Sequence, residues 1–248
     1  MLVYTLLFVV ALWAGIQNAL AGGGTFITFP VLLLSGLDAR AANITSTVAL
    51  FPGQITTALA GRSQVTGNAH LSVRELIVLS LIGGVVGAVL LLLTPSHFFE
   101  RLVPFLVLVA TAIFAWGSFR PRNADAPIHL GRPALMASQF TIAIYGGYFG
   151  GGIGILMLAA LTAAGWEFRS AGATKNLLAA VMNFAAVGVF AFSRDVNWFD
   201  VLVLAIGSII GGQIGAYLLV RINVMLLRIF VVVIGLVLTV GLFVRAYA

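Results

Sequence analysis

Two glycine triplets are the most specific chemical feature of this sequence. Each is a run of three glycines inside a long apolar stretch, one in each half of the chain: Gly22, Gly23 and Gly24, and Gly150, Gly151 and Gly152. Because such runs break helices, we expect new half-helices to begin at Thr25 and Ile153. The free N–H groups at a helix start bind anions, and the helix dipole favours this. Close helix packing is the alternative interpretation, and recurrence of the interruption favours anion binding.

Polar side chains open the span that follows each triplet. They supply hydroxyl, amide and ammonium donors to an oxyanion, and they are Asn43, Thr45, Ser46 and Thr47 in the first half and Thr174, Lys175 and Asn176 in the second. Lys175 is the chain's only lysine, and an ionisable residue in a span is a candidate for function. The alternative is an interfacial role, with Thr174 as a helix cap and Lys175 reaching for lipid headgroups.

Gln54 and Asn183 occupy matching places in the two halves, about two turns further into their helices. An unpaired amide in hydrocarbon costs free energy, so both must face the interior of a helix bundle. They line a substrate path or hydrogen-bond neighbouring helices, and the sequence leaves both interpretations open.

The elements that position these groups are eight uncharged runs. They cover residues 1–37, 41–61, 76–99, 102–119, 133–166, 176–193, 201–220 and 229–244. Six have the length of one helix, whereas 1–37 and 133–166 exceed one crossing of about 20 residues and fall short of two. Since a break inside the membrane is tolerated only against protein or water, we expect each long run to be two short half-helices forming a re-entrant hairpin at its glycines.

The composition excludes a water-soluble domain. The 248 residues are 61% hydrophobic and 8% charged, against about 25% charged in an ordinary domain, so the sequence predicts an all-α polytopic membrane protein in a lipid bilayer. The net charge of +6 is spread over arginines that flank apolar runs, which argues against nucleic acid. No carboxylate lies within a span and the histidines are isolated, so we expect no enzyme activity, metal site or cofactor.

The two halves of the sequence resemble each other. The pair Asp38 and Arg40 recurs as Glu167 and Arg169, and Gly83, Gly84 and Gly87 recur as Gly211, Gly212 and Gly215. The offset in each case is nearly the same as that between the glycine triplets, and a near-constant offset indicates a duplicated unit. We therefore expect two membrane repeats, 1–119 and 134–248, joined by a hydrophilic linker at 120–133. The recurring glycines of the second set are interpreted as helix-packing residues.

The distribution of basic residues predicts the orientation. If each long run returns to its own side, nine basic residues share one face: Arg62, Arg74, Arg120, Arg122, Arg132, Arg169, Lys175, Arg221 and Arg228. The opposite face then has four: Arg40, Arg101, Arg194 and Arg245. Basic residues favour the cytoplasmic side, so we expect six full helices, two hairpins, inverted repeats and both termini outside.

A family resemblance rests on the triplet, the proline six residues after Gly24 (Pro30), the Thr45-Ser46 pair and the recurrence of this order. The pattern resembles the TauE/SafE sulfite-exporter family from about residue 5 to 243. The resemblance implies transport of a small sulfur-containing anion, such as sulfite or an organosulfonate, across the bacterial cytoplasmic (inner) membrane. The second half departs from the pattern at Leu158, where the proline would stand, and at Lys175, where a small hydroxyl is common.

Together these observations predict a secondary transporter with its substrate near the midplane. The expected binding residues are Gly22, Gly23, Gly24, Thr25, Thr45, Ser46, Gln54, Gly150, Gly151, Gly152, Thr174, Lys175, Asn176 and Asn183. A negative-inside potential favours anions that leave by about 2.3 kcal/mol per charge per 100 mV, which favours export. The alternatives are a passive anion channel, or an uptake permease for organosulfonates or thiosulfate coupled to an ion.

Overall fold

The computed structural model describes residues 2–20, 22–67, 71–119, 131–218 and 224–247. These residues form ten helices, which are α1 (Leu2–Leu20), α2 (Thr25–Leu34), α3 (Ala39–Ala60), α4 (Val73–Leu93), α5 (Ser96–Phe119), α6 (Arg132–Tyr148), α7 (Ile153–Ala163), α8 (Phe168–Phe190), α9 (Trp198–Leu218) and α10 (Val224–Tyr247). A short 3₁₀ turn at Arg62–Gln64 follows α3, and the described ranges contain no strand. The all-α prediction is confirmed. Residues 120–130 of the predicted linker lie outside the described ranges, and Arg132 already belongs to α6.

Five described segments are long and apolar enough to cross a membrane. They are Val3–Leu20, Val73–Leu93, Ser96–Ile113, Arg169–Phe190 and Trp198–Tyr217. Large apolar side chains such as Val9, Val109 and Val237 are more than half exposed on the outer faces of their helices. Lipid, not water, is the solvent that such a surface suits. The chain is therefore a multi-pass membrane protein.

We expected two short half-helices in each long run. The second half-helix, α2 or α7, is short as expected, but the first, α1 or α6, is not. α2 and α7 have 10 and 11 residues, about 15 Å each, whereas α1 and α6 have 19 and 17 residues, about 28 and 25 Å. The reason is that each triplet lies past the middle of its run. Nothing before the triplet interrupts the helix, so the first arm grows to nearly a full crossing.

The first hairpin has both of its ends beside the start of α9. The ring of Tyr4, near the start of α1, packs edge-on against Phe199, with centroids 4.8 Å apart. Arg40, in the first turn of α3 after α2 ends, pairs with Asp195 at 3.0 Å. We call this part of the bundle the α9 end, defined by Asp195 and the first turn of α9.

The second hairpin has both of its ends beside the start of α4. Arg132, at the beginning of α6, pairs with Glu75 at 2.7 Å. Trp166, just after α7, donates from its Nε1 to the carbonyl of Thr66 at 2.7 Å. We call this part of the bundle the α4 end, defined by Thr66 and Glu75. Arg40 at the α9 end also donates to the carbonyl of Thr94, just after the last turn of α4, at 3.0 Å. The α9 end and the α4 end therefore lie at opposite ends of α4.

Helix pairings in one half of the chain have counterparts in the other. α1 packs on α9 as α6 packs on α4, α3 packs on α9 as α8 packs on α4, and α2 packs on α10 as α7 packs on α5. The pairs α3 with α8 and α5 with α10 join the halves directly. The halves are therefore interleaved, so that the long arm of each hairpin lies against a helix of the other half.

Glycines make the closest of these contacts. Side chains added at Gly83 and Gly87 would meet the α6 backbone at Phe140 and Ile144, and one at Gly211 would meet the α1 backbone at Leu12. Side chains added at Gly84, Gly212 and Gly215 would likewise meet backbone atoms, at Met182, Gly53 and Ile16 respectively. The prediction that this second glycine set serves helix packing is confirmed.

Candidate functional site

The two glycine triplets lie against each other in the middle of the bundle. A Cβ built on Gly22 would stand 3.0 Å from the Cα of Gly154, and one built on Gly150 would stand 3.8 Å from Oγ1 of Thr25. The break before α2 therefore crosses the break before α7, and the starts of these two short helices meet.

Backbone conformation requires glycine at four of the six triplet positions. The φ angles are +77° at Gly22, +91° at Gly23, +79° at Gly150 and +76° at Gly152, in the region that residues with a Cβ adopt at a cost of roughly 1–2 kcal/mol. The other two are restricted by packing. A Cβ on Gly24 would approach the Ala14 carbonyl to 2.7 Å, and one on Gly151 would approach the Phe149 ring to 2.7 Å.

Both short helices begin without a side-chain cap. The N-cap residues are Gly24 for α2 and Gly152 for α7, and neither offers a side-chain acceptor. The N–H of Gly24 is bound by Oδ1 of Asn18 at 2.7 Å. Within the described part of the chain, the N–H groups of Gly23, Thr25, Ile153 and Gly154 have no hydrogen-bond acceptor. Each helix start also carries about half a positive charge from its dipole.

These four residues line one cavity of about 30 Å³, room for about two water molecules. Its walls come from α1, α2, α3, α7 and α8. Eight of the residues predicted from the sequence line it: Gly22, Gly23, Thr25, Gln54, Gly150, Lys175, Asn176 and Asn183. The structure thus brings groups from both halves of the chain to one small polar space beside the crossed glycine breaks.

Lys175 lies in the wall of this cavity with only 4% of its surface exposed. It stands about two turns inside α8. The ion pairs of the described residues are Arg40 with Asp195, Arg132 with Glu75 and Arg245 with Glu100, and none includes Lys175. Its burial against the cavity replaces the alternative in which this side chain extends to the lipid headgroups.

Gln54 and Asn183 form a hydrogen bond across the interface of α3 and α8. Nδ2 of Asn183 donates to Oε1 of Gln54 at 2.7 Å, and both residues line the cavity. Oδ1 of Asn183 is buried without a hydrogen-bond partner among the described residues. The interpretation that these amides hydrogen-bond between helices is therefore confirmed. Both amides also face the cavity, and the interpretation that they line a substrate path stays a prediction.

Three predicted hydroxyl residues lie outside the cavity wall and bond to other groups. Oγ1 of Thr45 accepts from the N–H of Asn197 at 3.1 Å, at the α9 end. Thr174 donates to the carbonyl of Thr66 at 3.4 Å, at the α4 end, so these two bonds join the halves. Ser46 is bonded to Thr28 at 2.6 Å. The remaining predicted residues outside the wall are the triplet positions Gly24, Gly151 and Gly152.

The cavity also has lining residues outside the set of fourteen expected binding residues, although Thr47 and Ile153 were named as donors or as a helix start. They are Asn18, Thr47, Leu50, Thr57, Ile153, Gly154 and Ala179. A helical period was the signal that could have found those of α3, since Thr47, Leu50, Gln54 and Thr57 follow one another at steps of three and four along one face. Asn18 gave a weaker signal, as one of two amides just before the first triplet.

Comparison with known proteins identifies the family. The family described as "Sulfite exporter TauE/SafE" matches residues 7–242. A "Probable membrane transporter protein ORF9" of Sinorhizobium sp is 32% identical over 217 residues, which are 85% of this chain and 80% of that protein. A "Probable membrane transporter protein" of Haemophilus influenzae is 27% identical over 94% of this chain and 92% of its own length. The chain therefore belongs to the TauE/SafE family of membrane transporters.

Proposed function

We propose that this transporter carries a small sulfur-containing oxyanion, such as sulfite or an organosulfonate, and binds it in the cavity between the two glycine breaks. The observation that carries the proposal is the meeting of two uncapped helix starts with the buried Lys175 in a cavity whose described lining contains no acid. Donors without a counter-charge, held away from bulk water, suit an anion.

Each lining group has a defined task in this proposal. The N–H groups of Thr25 and Ile153 point from the two helix starts toward the oxyanion oxygens, and the ammonium of Lys175 supplies the full positive charge. The amide groups of Asn18 and Asn176 complete the set of donors. Oxyanions of this class carry several acceptor oxygens around one central atom, which matches donors that converge from opposite sides.

The proposed mechanism is alternating access by two inverted repeats, residues 1–119 and 134–248. Support comes from the matched helix pairings and from the hairpins that enter at opposite ends of the bundle. In such transporters one repeat rocks against the other around a fixed central site. Each hairpin is then re-entrant, with its glycine break inside the membrane where it faces protein and the cavity.

We infer export across the bacterial cytoplasmic membrane as the direction. A negative-inside potential favours a leaving anion by about 2.3 kcal/mol per charge per 100 mV. The described cavity lining contains no carboxylate that would carry a coupling proton. Uptake of an organosulfonate or thiosulfate coupled to an ion is the alternative direction.

The test is flux through purified protein in proteoliposomes, with sulfite and several sulfonates compared with sulfate, chloride and acetate. We expect saturable flux and counterflow of a sulfur oxyanion. Lys175→Ala removes the cation and should weaken the apparent affinity for the anion. Gly23→Leu forces a side chain into a backbone with a φ of +91° and should abolish flux. Unsaturable flux without counterflow would identify a passive channel instead.

Two control variants separate site effects from general damage. Arg245→Ala removes a cation from an exposed ion pair with Glu100, far from the cavity, and should transport normally. Gly188→Ala adds a methyl group where nothing lies within 4 Å and should also be neutral. Folded wild-type protein that moves none of the anions would refute the proposed substrate class and the anion site together.

A further inference from the structure

We propose that this carrier is an obligate anion exchanger, in which the uncompensated charge of Lys175 keeps the empty cavity from closing and crossing. This inference rests on the proposed anion site. It adds a second substrate on the opposite side of the membrane, a small inorganic anion that occupies the same cavity on the return step. This anion carries less charge than the exported one, so each cycle still moves net negative charge outward along the potential.

The positive charge around the cavity is not balanced by negative charge. Lys175 contributes a full positive charge, and the starts of α2 and α7 contribute about half a charge each. The described lining residues carry no negative charge. The closed cavity therefore holds positive potential from three directions and nothing that balances it.

The neighbouring helices do not supply the missing negative charge. α8 packs against α3, α4, α6, α7 and the 3₁₀ turn. The acid among their described residues is Glu75 on α4, which is bound by Ser72 and Arg132 at the α4 end. None of the other charged or titratable side chains on these elements and on α8 lines the cavity, and they are Arg40, Arg62, Arg74, Arg132, Tyr145, Tyr148 and Arg169.

Burial makes this uncompensated positive charge costly. A buried ammonium without a counter-charge costs several kcal/mol even after local relaxation. A bound anion supplies the missing counter-charge, because Lys175 lines the cavity that would hold it. Alternating access passes through a closed state, so the loaded carrier passes easily and the empty carrier does not.

The contrast between the halves shows that this imbalance belongs to one residue. The counterpart of Lys175 in the first half, at the offset that also relates Thr174 to Thr45, is Ser46. Ser46 is neutral and is already satisfied by its hydrogen bond to Thr28 at 2.6 Å. The first half therefore contributes no buried charge at this position, and the requirement for an anion at closure depends on Lys175.

The experiment compares efflux into two kinds of medium. Proteoliposomes loaded with labelled sulfite are diluted into buffer that contains unlabelled sulfite, or into buffer whose only anion is bulky gluconate. The potential is clamped in all arms. Wild-type efflux should be at least about tenfold faster when a small anion is present outside, since a cost of several kcal/mol exceeds the 1.4 kcal/mol that corresponds to tenfold.

Substitutions identify the residue responsible. Lys175→Met keeps an unbranched side chain without its charge. Its apparent affinity for sulfite should fall, and at saturating internal sulfite its efflux into gluconate should equal its own efflux into external sulfite. Lys175→Arg retains a permanent charge and should retain the dependence on an external anion. Gel filtration establishes that each variant is folded, and the wild-type comparison tests the exchange mode without any variant.

Two results would overturn the inference. One is wild-type efflux into gluconate that is as fast as efflux into sulfite. The other is efflux into gluconate accompanied by an equal movement of protons, because Lys175 would then lose its charge when the cavity empties. Sulfite that moves in no medium refutes the proposed function itself, so the two failures are distinguishable.

Discussion

Gln54 and Asn183 show how one pair of residues serves both structure and site. They stand at matching positions of α3 and α8 and bond each other at 2.7 Å, so the contact lies where the two halves meet. Paired amides satisfy each other in a region where water is scarce. The same pair leaves one acceptor, Oδ1 of Asn183, buried beside the cavity without a described partner.

A double-mutant cycle on this pair measures its contribution. Gln54→Ala, Asn183→Ala and the double variant should show a coupling of about 0.6 kcal/mol and at most about 1.7 kcal/mol, the range for interhelical hydrogen bonds in membranes. Both single variants should also weaken the apparent affinity for the transported anion. The measurements are unfolding in detergent and the concentration dependence of flux.

The control cycle uses Ser80 and Gln139, which bond at 2.8 Å between α4 and α6 and do not line the cavity. It should give a similar coupling in stability and no change in affinity. If the Gln54 and Asn183 variants also leave affinity unchanged, the amide pair is structural only.

Residue type predicted which side chains line the cavity better than their position near the start of a helix did. Lys175 and the two amides were predictable because an ionised or amide group inside a span needs an interior partner or a ligand. Thr45 and Thr174 look equally polar in the sequence, but their hydroxyls contact Asn197 and Thr66, which are 152 and 108 residues away. Local spacing does not encode such long-range contacts.

At the scale of elements, the chain specifies where helices exist more firmly than how long they are. All six runs of single-helix length correspond to helices, namely α3, α4, α5, α8, α9 and α10. The lengths of α1 and α6 differed from expectation because nothing before each glycine triplet interrupts the helix. The one glycine of α1, Gly15, lies close to the Ser208 carbonyl, so α1 packs tightly on α9.

Gly22→Ala tests whether the break before α2 must keep its conformation. The residue has a φ of +77°, and a Cβ there would stand 3.0 Å from the Cα of Gly154. We expect a loss of roughly 1–2 kcal/mol from the backbone conformation and a flux reduced further by separation of the two helix starts. Thermal unfolding and flux are measured together.

Gly188→Ala is the matched substitution in a regular helix. Gly188 lies in α8 with nothing within 4 Å of an added Cβ, and alanine is favoured over glycine in a helix by up to about 1 kcal/mol. This variant should be as stable as wild type or more so. Normal stability and flux in Gly22→Ala would mean that the crossed breaks tolerate rearrangement.

For the whole molecule, the basic residues predict which end faces the cytoplasm. The sequence predicts nine of them on one side and four on the other. Lys175, counted among the nine, lies in the cavity wall instead, and the α4 end has the described residues Arg62, Arg74, Arg132 and Arg169 of the larger set. Because basic residues stay on the cytoplasmic side, we expect the α4 end inside and both termini outside.

Single cysteines test this orientation, since the chain has none of its own. Arg101→Cys and Arg62→Cys place thiols at exposed positions near opposite ends. A membrane-impermeant maleimide applied to intact cells should label Arg101→Cys, and should label Arg62→Cys only after permeabilisation. The reverse pattern would invert the topology, and with it the side from which the exported anion enters.

Alternating access also requires that the contacts at the α4 end separate during transport. There the carbonyl of Thr66 accepts from Trp166 at 2.7 Å and from Thr174 at 3.4 Å, and the hydroxyls of Thr66 and Ser170 bond each other. These contacts join a connection of the first half to the start of α8 in the second. In the proposed mechanism these contacts close the cavity toward this end.

A cross-link across that contact tests the rocking movement directly. The double variant Thr66→Cys with Ser170→Cys places two thiols where two bonded hydroxyls now lie, within the reach of a disulfide. Oxidation should stop anion exchange, and a reductant should restore it, because the bond holds the α4 end shut. Each single variant should be insensitive to oxidation. Full exchange through the oxidised double variant would mean that this end does not open, so the anion would have to follow another route.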